Sequence, residues 1–214
     1  MGEYNPIWHL KNALKADPQH SNSIVLYANN LLDKGKIDEA YSLIKESSTE
    51  LQNLPIIKNL LAKIYVETEK LDLAELTINE ALSNFPKSID LLYTAYSIKR
   101  KKGDKYSALH YLERILRIDD NLSNIYVEMA ELSSEPHEII RKLSLLEIAH
   151  SLDAESKNVF YCLIETFVTY FCSTDDSNIE SDLWNRFKEH VNSEIYKKLG
   201  NPFSEQVKQL SEVQ

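Results

Sequence analysis

Glycine and proline are scarce: four glycines and six prolines in 214 residues. So few leave little material for long irregular loops, for a glycine-rich phosphate cradle or for a nucleophile elbow, and they favour helices joined by short turns. Cysteine is scarcer still. Cys162 and Cys172 lie ten residues apart in one predicted helix, some 15 Å at a rise of ~1.5 Å per residue, too far to pair within it. Free thiols in a cysteine-poor chain fit a reducing compartment. Basic charge is also in deficit, 24 Lys and Arg against 33 Asp and Glu for a formal net charge of −9. That balance argues against nucleic acid as the main ligand, because phosphate neutralisation needs a concentrated basic face. No stretch approaches the ~20 apolar residues of a membrane span, and MGEYNPIWHL has no charged region followed by an apolar run, so no secretory signal is read. Gly2 follows Met1, but Pro6 stands where a myristoylation signal wants Ser or Thr. The expectation is a cytoplasmic chain with no membrane insertion.

Catalytic sets are missing too. His9, His20, His110, His137, His150 and His190 are scattered, without HExxH spacing or a cysteine pair to complete a zinc site. The acidic run with Asp175, Asp176, Glu180 and Asp182 lacks the alternating ligands and central glycine of a calcium loop. No metal, no cofactor and no enzymatic activity are therefore expected.

What is present is repetition. Gly103 to Asp119, GDKYSALHYLERILRID, reads as a turn and an amphipathic helix burying Ala108, Leu109, Leu112, Ile115 and Leu116. Shifts of 34 residues place Ala40, Ala74 and Ala108 at one small-residue site, Ala28, Ala62 and Ala130 at a second, and Ala13, Ser47, Ala81 and Ala149 at a third. Leu10, Ile44, Ile78, Leu112 and Leu146 share a large apolar site. A gapless period of this length with two helices per unit marks a helical solenoid. The divisions expected are a half-repeat over 5–20, units 21–54, 55–88, 89–122 and 123–156, a further helix 157–172, a polar loop 173–182 and capping helices over 183–214. Asn5 is read as the cap of the first helix and Pro6 as its first residue. The opening half-repeat leaves two readings: a native cap, or a piece of a longer array. Lys142 stands where earlier units have alanine, and either extends its amine to water or widens the helix crossing.

In the last part Ile179, Leu183, Trp184, Phe187, Val191, Ile195 and Leu199 form an amphipathic segment, interrupted at Asn192 and Ser193. It is expected to cover the apolar face that the last unit of a solenoid exposes. Phe203, Val207 and Leu210 on a short final helix are expected to pack back.

The small residues at these fixed places, with proline near the end of a unit at Pro86, resemble the tetratricopeptide repeat. The resemblance rests on Ala28, Gly35, Ala40 and Ile44; Ala62, Tyr65, Ala74 and Ala81; Gly103, Ala108 and Leu112; and Ala130 and Ala149. Tyr96, Ile115 and Lys142 depart from it. It implies an all-α fold, a right-handed α-α superhelical solenoid with a C-terminal capping helix, whose concave face is lined by the first helix of each unit. It also implies a non-catalytic protein–protein interaction scaffold, an adaptor or complex subunit. The alternative is a substrate-recruiting module beside a separate catalytic subunit.

Projected on that geometry, the partner-binding residues are Asn22, Asn29, Asn59, Lys63, Asp90, Tyr93, Ser97, Asn124, Glu131, Asn158 and Tyr161, with Val25 in the same row. Asparagine donates and accepts at once, which suits a peptide backbone; the bland reading is that Asn is common on exposed helix faces. The clamp by which one tetratricopeptide subclass holds chaperone tails is not expected: Asn29 fits one place, but Val25, Leu60, Asp90 and Thr94 occupy the other four. Lys99 to Lys102, KRKK, with Lys105, could serve as a nuclear-import or phosphate-binding patch, but the favoured reading is structural, cations placed at a helix C-terminus where the dipole suits them. Ile7 and Trp8 are a candidate end interface, including for a homodimer through the half-repeat.

Overall fold

The computed structural model describes residues 6–133, 135–174, 181–193, 196–197, 205 and 207. Among these no strand occurs, and helices are joined by short turns. The chain divides into two compact units, residues 1–118 and 119–214.

In the first unit α1 (Pro6–Ala16) is followed by the helix pairs α2 (Ser21–Asp33) with α3 (Ile37–Lys45), α5 (Pro55–Glu67) with α6 (Leu71–Asn84), and α7 (Ile89–Lys101) with α8 (Lys105–Leu116). A short α4 (Thr49–Gln52), absent from the sequence reading, is capped by the Ser48 hydroxyl accepting from the Leu51 amide. The repeated alanines do what their size predicts: Ala28, Ala40, Ala62, Ala74 and Ala108 have no exposed surface. Short side chains there let two helices of a pair, and the first helix of the next, meet closely. Each first helix rests on its own second helix and on the following first helix, so that α2 contacts α3 and α5, while α5 contacts α6 and α7. Ile24, Val25, Leu31, Ile44, Ile57, Leu60 and Ile64 form one buried cluster, against which Leu14 of α1 packs. Val25 is thus core rather than groove.

The turns repeat as strictly as the helices. Gly35, Glu69 and Gly103, one period apart, all take positive φ, at +69°, +56° and +75°. The left-handed conformation costs a residue with a Cβ about 1–2 kcal/mol. Glu69 bears that cost in a glycine's place.

The second unit contains α9 (Ser123–Leu132), a 3-10 turn at Pro136–Glu138, α10 (Ile139–Leu152), α11 (Lys157–Ser173) and α12 (Ser181–Val191). At the fourth alanine site Lys142 is half-buried, and its neighbour Leu143 fills the interior instead. The α9–α10 pair packs as extensively as earlier pairs. The opening appears elsewhere. α9 and α11 make at most weak contact, and a cavity of about 440 Å³ lies beside the α9–α10 connection, between the start of α10 and α11, lined by Ser133, Ile139, Lys142, Glu165, Thr166 and Thr169 among others.

α12 covers the end as expected. Leu183, Trp184 and Phe187 are buried against Phe160, Phe167 and Phe171, and Val191 and Val207 pack on the same cluster. Phe167 and Phe171 stack at 6.1 Å, and Trp184 meets Phe171 edge-on at 5.0 Å. The helix ends at Val191 with a turn at Asn192 and Ser193. Asn5, most of the predicted loop, Ile179, Ile195, Leu199, Phe203 and Leu210 lie outside the described residues.

Candidate functional site

The expected row is carried in the first unit by α2, α5 and α7. Because α2 contacts α5 and α5 contacts α7, their outward residues share one surface. Asn22, Lys63 and Asp90 are exposed there, with Asn29, Tyr93 and Ser97 half-buried and Ile56 half exposed. Tyr93 is set at 5.4 Å from the Tyr96 ring, and the Ser97 hydroxyl donates to the Tyr93 carbonyl. In the second unit Asn124 and Glu131 on α9 and Asn158 and Tyr161 on α11 are exposed.

Asn59 is in a different position from its companions. It is buried, and its Oδ1 accepts a 2.6 Å hydrogen bond from the Thr94 hydroxyl. A buried polar pair of this kind is satisfied only while both partners stay in place, so Asn59 ties α5 to α7 rather than facing a ligand. The signal was in the sequence: Thr94 stands one period after Leu60, an interior site, and a polar residue there needs a buried partner.

The basic run is likewise occupied. Lys99 Nζ lies 2.7 Å from Glu75 and 3.5 Å from Asp104. Lys102 Nζ lies 2.5 Å from Glu75 and 2.7 Å from Asp72, while Arg100 donates to the Tyr96 hydroxyl at 2.9 Å. Lys101 reaches the Val66 carbonyl at 3.4 Å and Glu69 at 3.7 Å. Hydrogen bonds from Lys102 and Lys99 hold the Glu75 carboxyl below the ordinary carboxylate range, and those to Glu75 and Asp72 raise the two lysines. The run therefore fastens α7 to α6, which spacing alone did not reveal because the acids lie 24 to 30 residues upstream.

A second polar cluster joins α10 and α12. Arg186 bonds Glu147 through both Nε and Nη2 and Asp182 at 3.3 Å, while His190 Nε2 lies 3.7 Å from Glu147. Burial pushes the Glu147 carboxyl up, but hydrogen bonds from His190 and Arg186 outweigh it and hold the group low. One turn along α10, His150 meets the His190 ring at 5.7 Å and has its Nδ1 buried without a partner. Burial, then the nearby His190, lowers its pKa. Burial likewise raises the Cys162 thiol, and both cysteines are unpaired. Among the described residues no group of three His, Cys, Asp or Glu is placed to hold a metal ion, and no helix is long and apolar enough to cross a membrane.

At the other end of the first unit, Trp8 is 60% exposed on α1. Beside it, Ile7, His9, Leu10 and Ala13 of α1 and Leu26, Asn29, Asn30 and Asp33 of α2 line an open groove of about 580 Å³.

First helices start 34 residues apart at Ser21, Pro55, Ile89 and Ser123, alanines stand at the crossings, and residues 9–64 match the family described as tetratricopeptide repeat. The fold is that of the tetratricopeptide repeat. Similar solved structures carry the same fold. YrrB, described as a TPR protein with an unusual peptide-binding site, is 15% identical, with 90% of this chain and 98% of that one covered at a TM-score of 0.56. MamA from Desulfovibrio magneticus RS-1 is also 15% identical, with 81% and 96% covered at 0.59. The Cut9–Hcn1 hetero-tetramer of the APC/C matches at 13% identity and 0.64, over 90% of this chain and 38% of that one. No curated protein sequence matches the chain.

Proposed function

We propose that this tetratricopeptide-repeat protein is a non-catalytic interaction scaffold that holds a segment of a protein partner along the exposed faces of α2, α5 and α7. The observation that carries the reading is the contrast within those helices. Apart from Ser23 and the hydrogen-bonded Asn59–Thr94 pair, their inward residues are apolar, whereas the shared outward surface mixes amide, cation, carboxylate and phenol at Asn22, Asn29, Lys63, Asp90 and Tyr93. Such a surface offers donors and acceptors to an extended backbone and one aromatic ring for a side chain. The peptide-binding site named for YrrB and the assembly named for Cut9–Hcn1 support a protein as the ligand. In the second unit the exposed residues open to the same reading are Asn124 and Glu131 on α9 and Asn158 and Tyr161 on α11.

The test is native purification from the host, with co-purifying proteins identified at low and high salt, repeated with Lys63→Ala combined with Tyr93→Ala. The reading expects partner recovery to fall at least tenfold in the variant while circular dichroism is unchanged. Undiminished recovery would remove the first-helix surface from the account. Partners that resist high salt and ignore the variant would make the chain a subunit held elsewhere on its surface.

A further inference from the structure

The repeat supplies its own template for the groove between α1 and α2. In the interior, the pair α3 and α5 carries a first helix, α2, and the pair α6 and α7 carries another, α5. The pair α1 and α2 has the same relation, and α1 contacts α2 in the same way. Leu26 is 56% exposed, whereas its counterparts one and two periods on, Leu60 and Thr94, are 3% and 5% exposed under the seated helix. Asn30 is half-buried where Ile64 and Ile98 are 1% exposed, and Leu10 is half-buried where Ile44 and Ile78 are at 0% and 1%. These are the positions a seated first helix would cover.

Charge specifies the occupant further. At the interior seat, Lys101 of the receiving helix α7 meets Glu69, just beyond the C-terminus of the seated helix α5. Two periods earlier the receiving residue is Asp33. An anion there selects a cation at the end of the seated helix, which the helix dipole also favours.

The geometry points to the α1–α2 groove, lined by Leu10, Leu26, Asn30 and Asp33, as a docking site for an amphipathic helix of a partner protein, parallel to α2 and ending in a basic turn. The inference rests on the interaction-scaffold reading and shares Asn29 with its surface, but Leu26 and Asp33 belong to the groove while Lys63 and Tyr93 do not line it, so the two can fail separately.

The probe is a fluorescein-labelled peptide of residues 89–102, whose apolar face carries Leu91, Leu92, Ala95 and Ile98 and whose last turn is basic. A second peptide has Glu at its four basic positions. Fluorescence anisotropy should show saturable binding of the basic peptide only. Leu26→Arg should weaken it at least tenfold, and Asp33→Lys should weaken it similarly while admitting the acidic peptide. Lys63→Ala with Tyr93→Ala should leave its Kd within twofold. Equal binding of both peptides, no binding of either, or indifference to Leu26→Arg would each overturn the proposal. So would a dimer in sedimentation that Leu26→Arg dissolves, since the groove would then belong to a second copy.

Discussion

The two compact units solve the same stacking problem with different residues. In the first, alanines with no exposed surface at 40, 74 and 108 bring helices together, and neighbouring first helices touch along the row. In the second, Lys142 takes the alanine's place, Leu143 is buried, and a cavity lies between the start of α10 and α11. Aromatic mass then compensates. Phe160, Phe167, Phe171, Trp184 and Phe187 join α11 to α12. Close approach through small residues gives a row that can be extended repeat by repeat. Large rings seal α12 onto α11.

The difference between the units is largest at Phe187. It is 1% exposed among Phe167, Phe171 and Trp184, and Phe187→Ala should cost about 3–5 kcal/mol. The loss should be confined to the second unit. In a Trp8→Phe background, where Trp184 is the remaining tryptophan of two, urea unfolding followed by fluorescence should shift while hydrogen exchange in α2 to α6 stays as in the parent.

Equivalent sites in the two units should respond unequally to one side chain. Ala74→Leu overpacks a closed crossing and should destabilise by about 1–3 kcal/mol. Lys142→Leu, beside the cavity, should stay within about 0.5 kcal/mol of the parent. Equal losses at the two sites, read by chemical denaturation, would show that the units pack alike.

The turns sharpen the comparison on a smaller scale. Glu69→Gly should stabilise the first unit by about 1 kcal/mol, and Gly103→Ala should destabilise it by a similar amount, because both sites require positive φ. A Cβ at Gly103 would meet nothing within 4 Å, so the effect isolates backbone strain from clash.

Acid should act on the second unit first. The folded-state pKa of His150 lies below its ordinary 6.5, so the unfolded chain binds the proton more readily and stability falls as pH drops through 6.5 toward the folded value. Glu147, held below its ordinary 4.5, contributes stability above that value that is lost as pH falls through its folded pKa. Hydrogen exchange at pH 7 and pH 5.5 should therefore show α10 and α12 loosening before α5 and α6, and His150→Leu should reduce the change.

Much of the fold was legible because its information is periodic. Ala28, Ala40 and Ala74 announce crossings, and Gly35 and Gly103 announce turns. Glu69 was not legible as a turn residue, since its conformation follows from its place in the period rather than from its chemistry. The candidate row was legible in part. Asn22, Lys63, Asp90 and Tyr93 follow from helix phase, but Asn59 required knowing that Thr94 comes within 2.6 Å across two helices. The partners of the basic run at 99–102 were hidden for the same reason, because its acids Asp72 and Glu75 belong to another helix. Pairings between elements are invisible to periodicity, and they decide which polar residues remain available.

The most direct measurement sets Tyr93 against Tyr106. Tyr93 lies on the first-helix surface, whereas Tyr106 is 89% exposed on the second helix α8. Hydroxyl-radical footprinting of the protein alone and in complex with its co-purified partner reads both rings in one experiment. A scaffold working through its first helices predicts that Tyr93 is protected from oxidation in the complex while Tyr106 is not. Protection of Tyr106 with Tyr93 unchanged would contradict it.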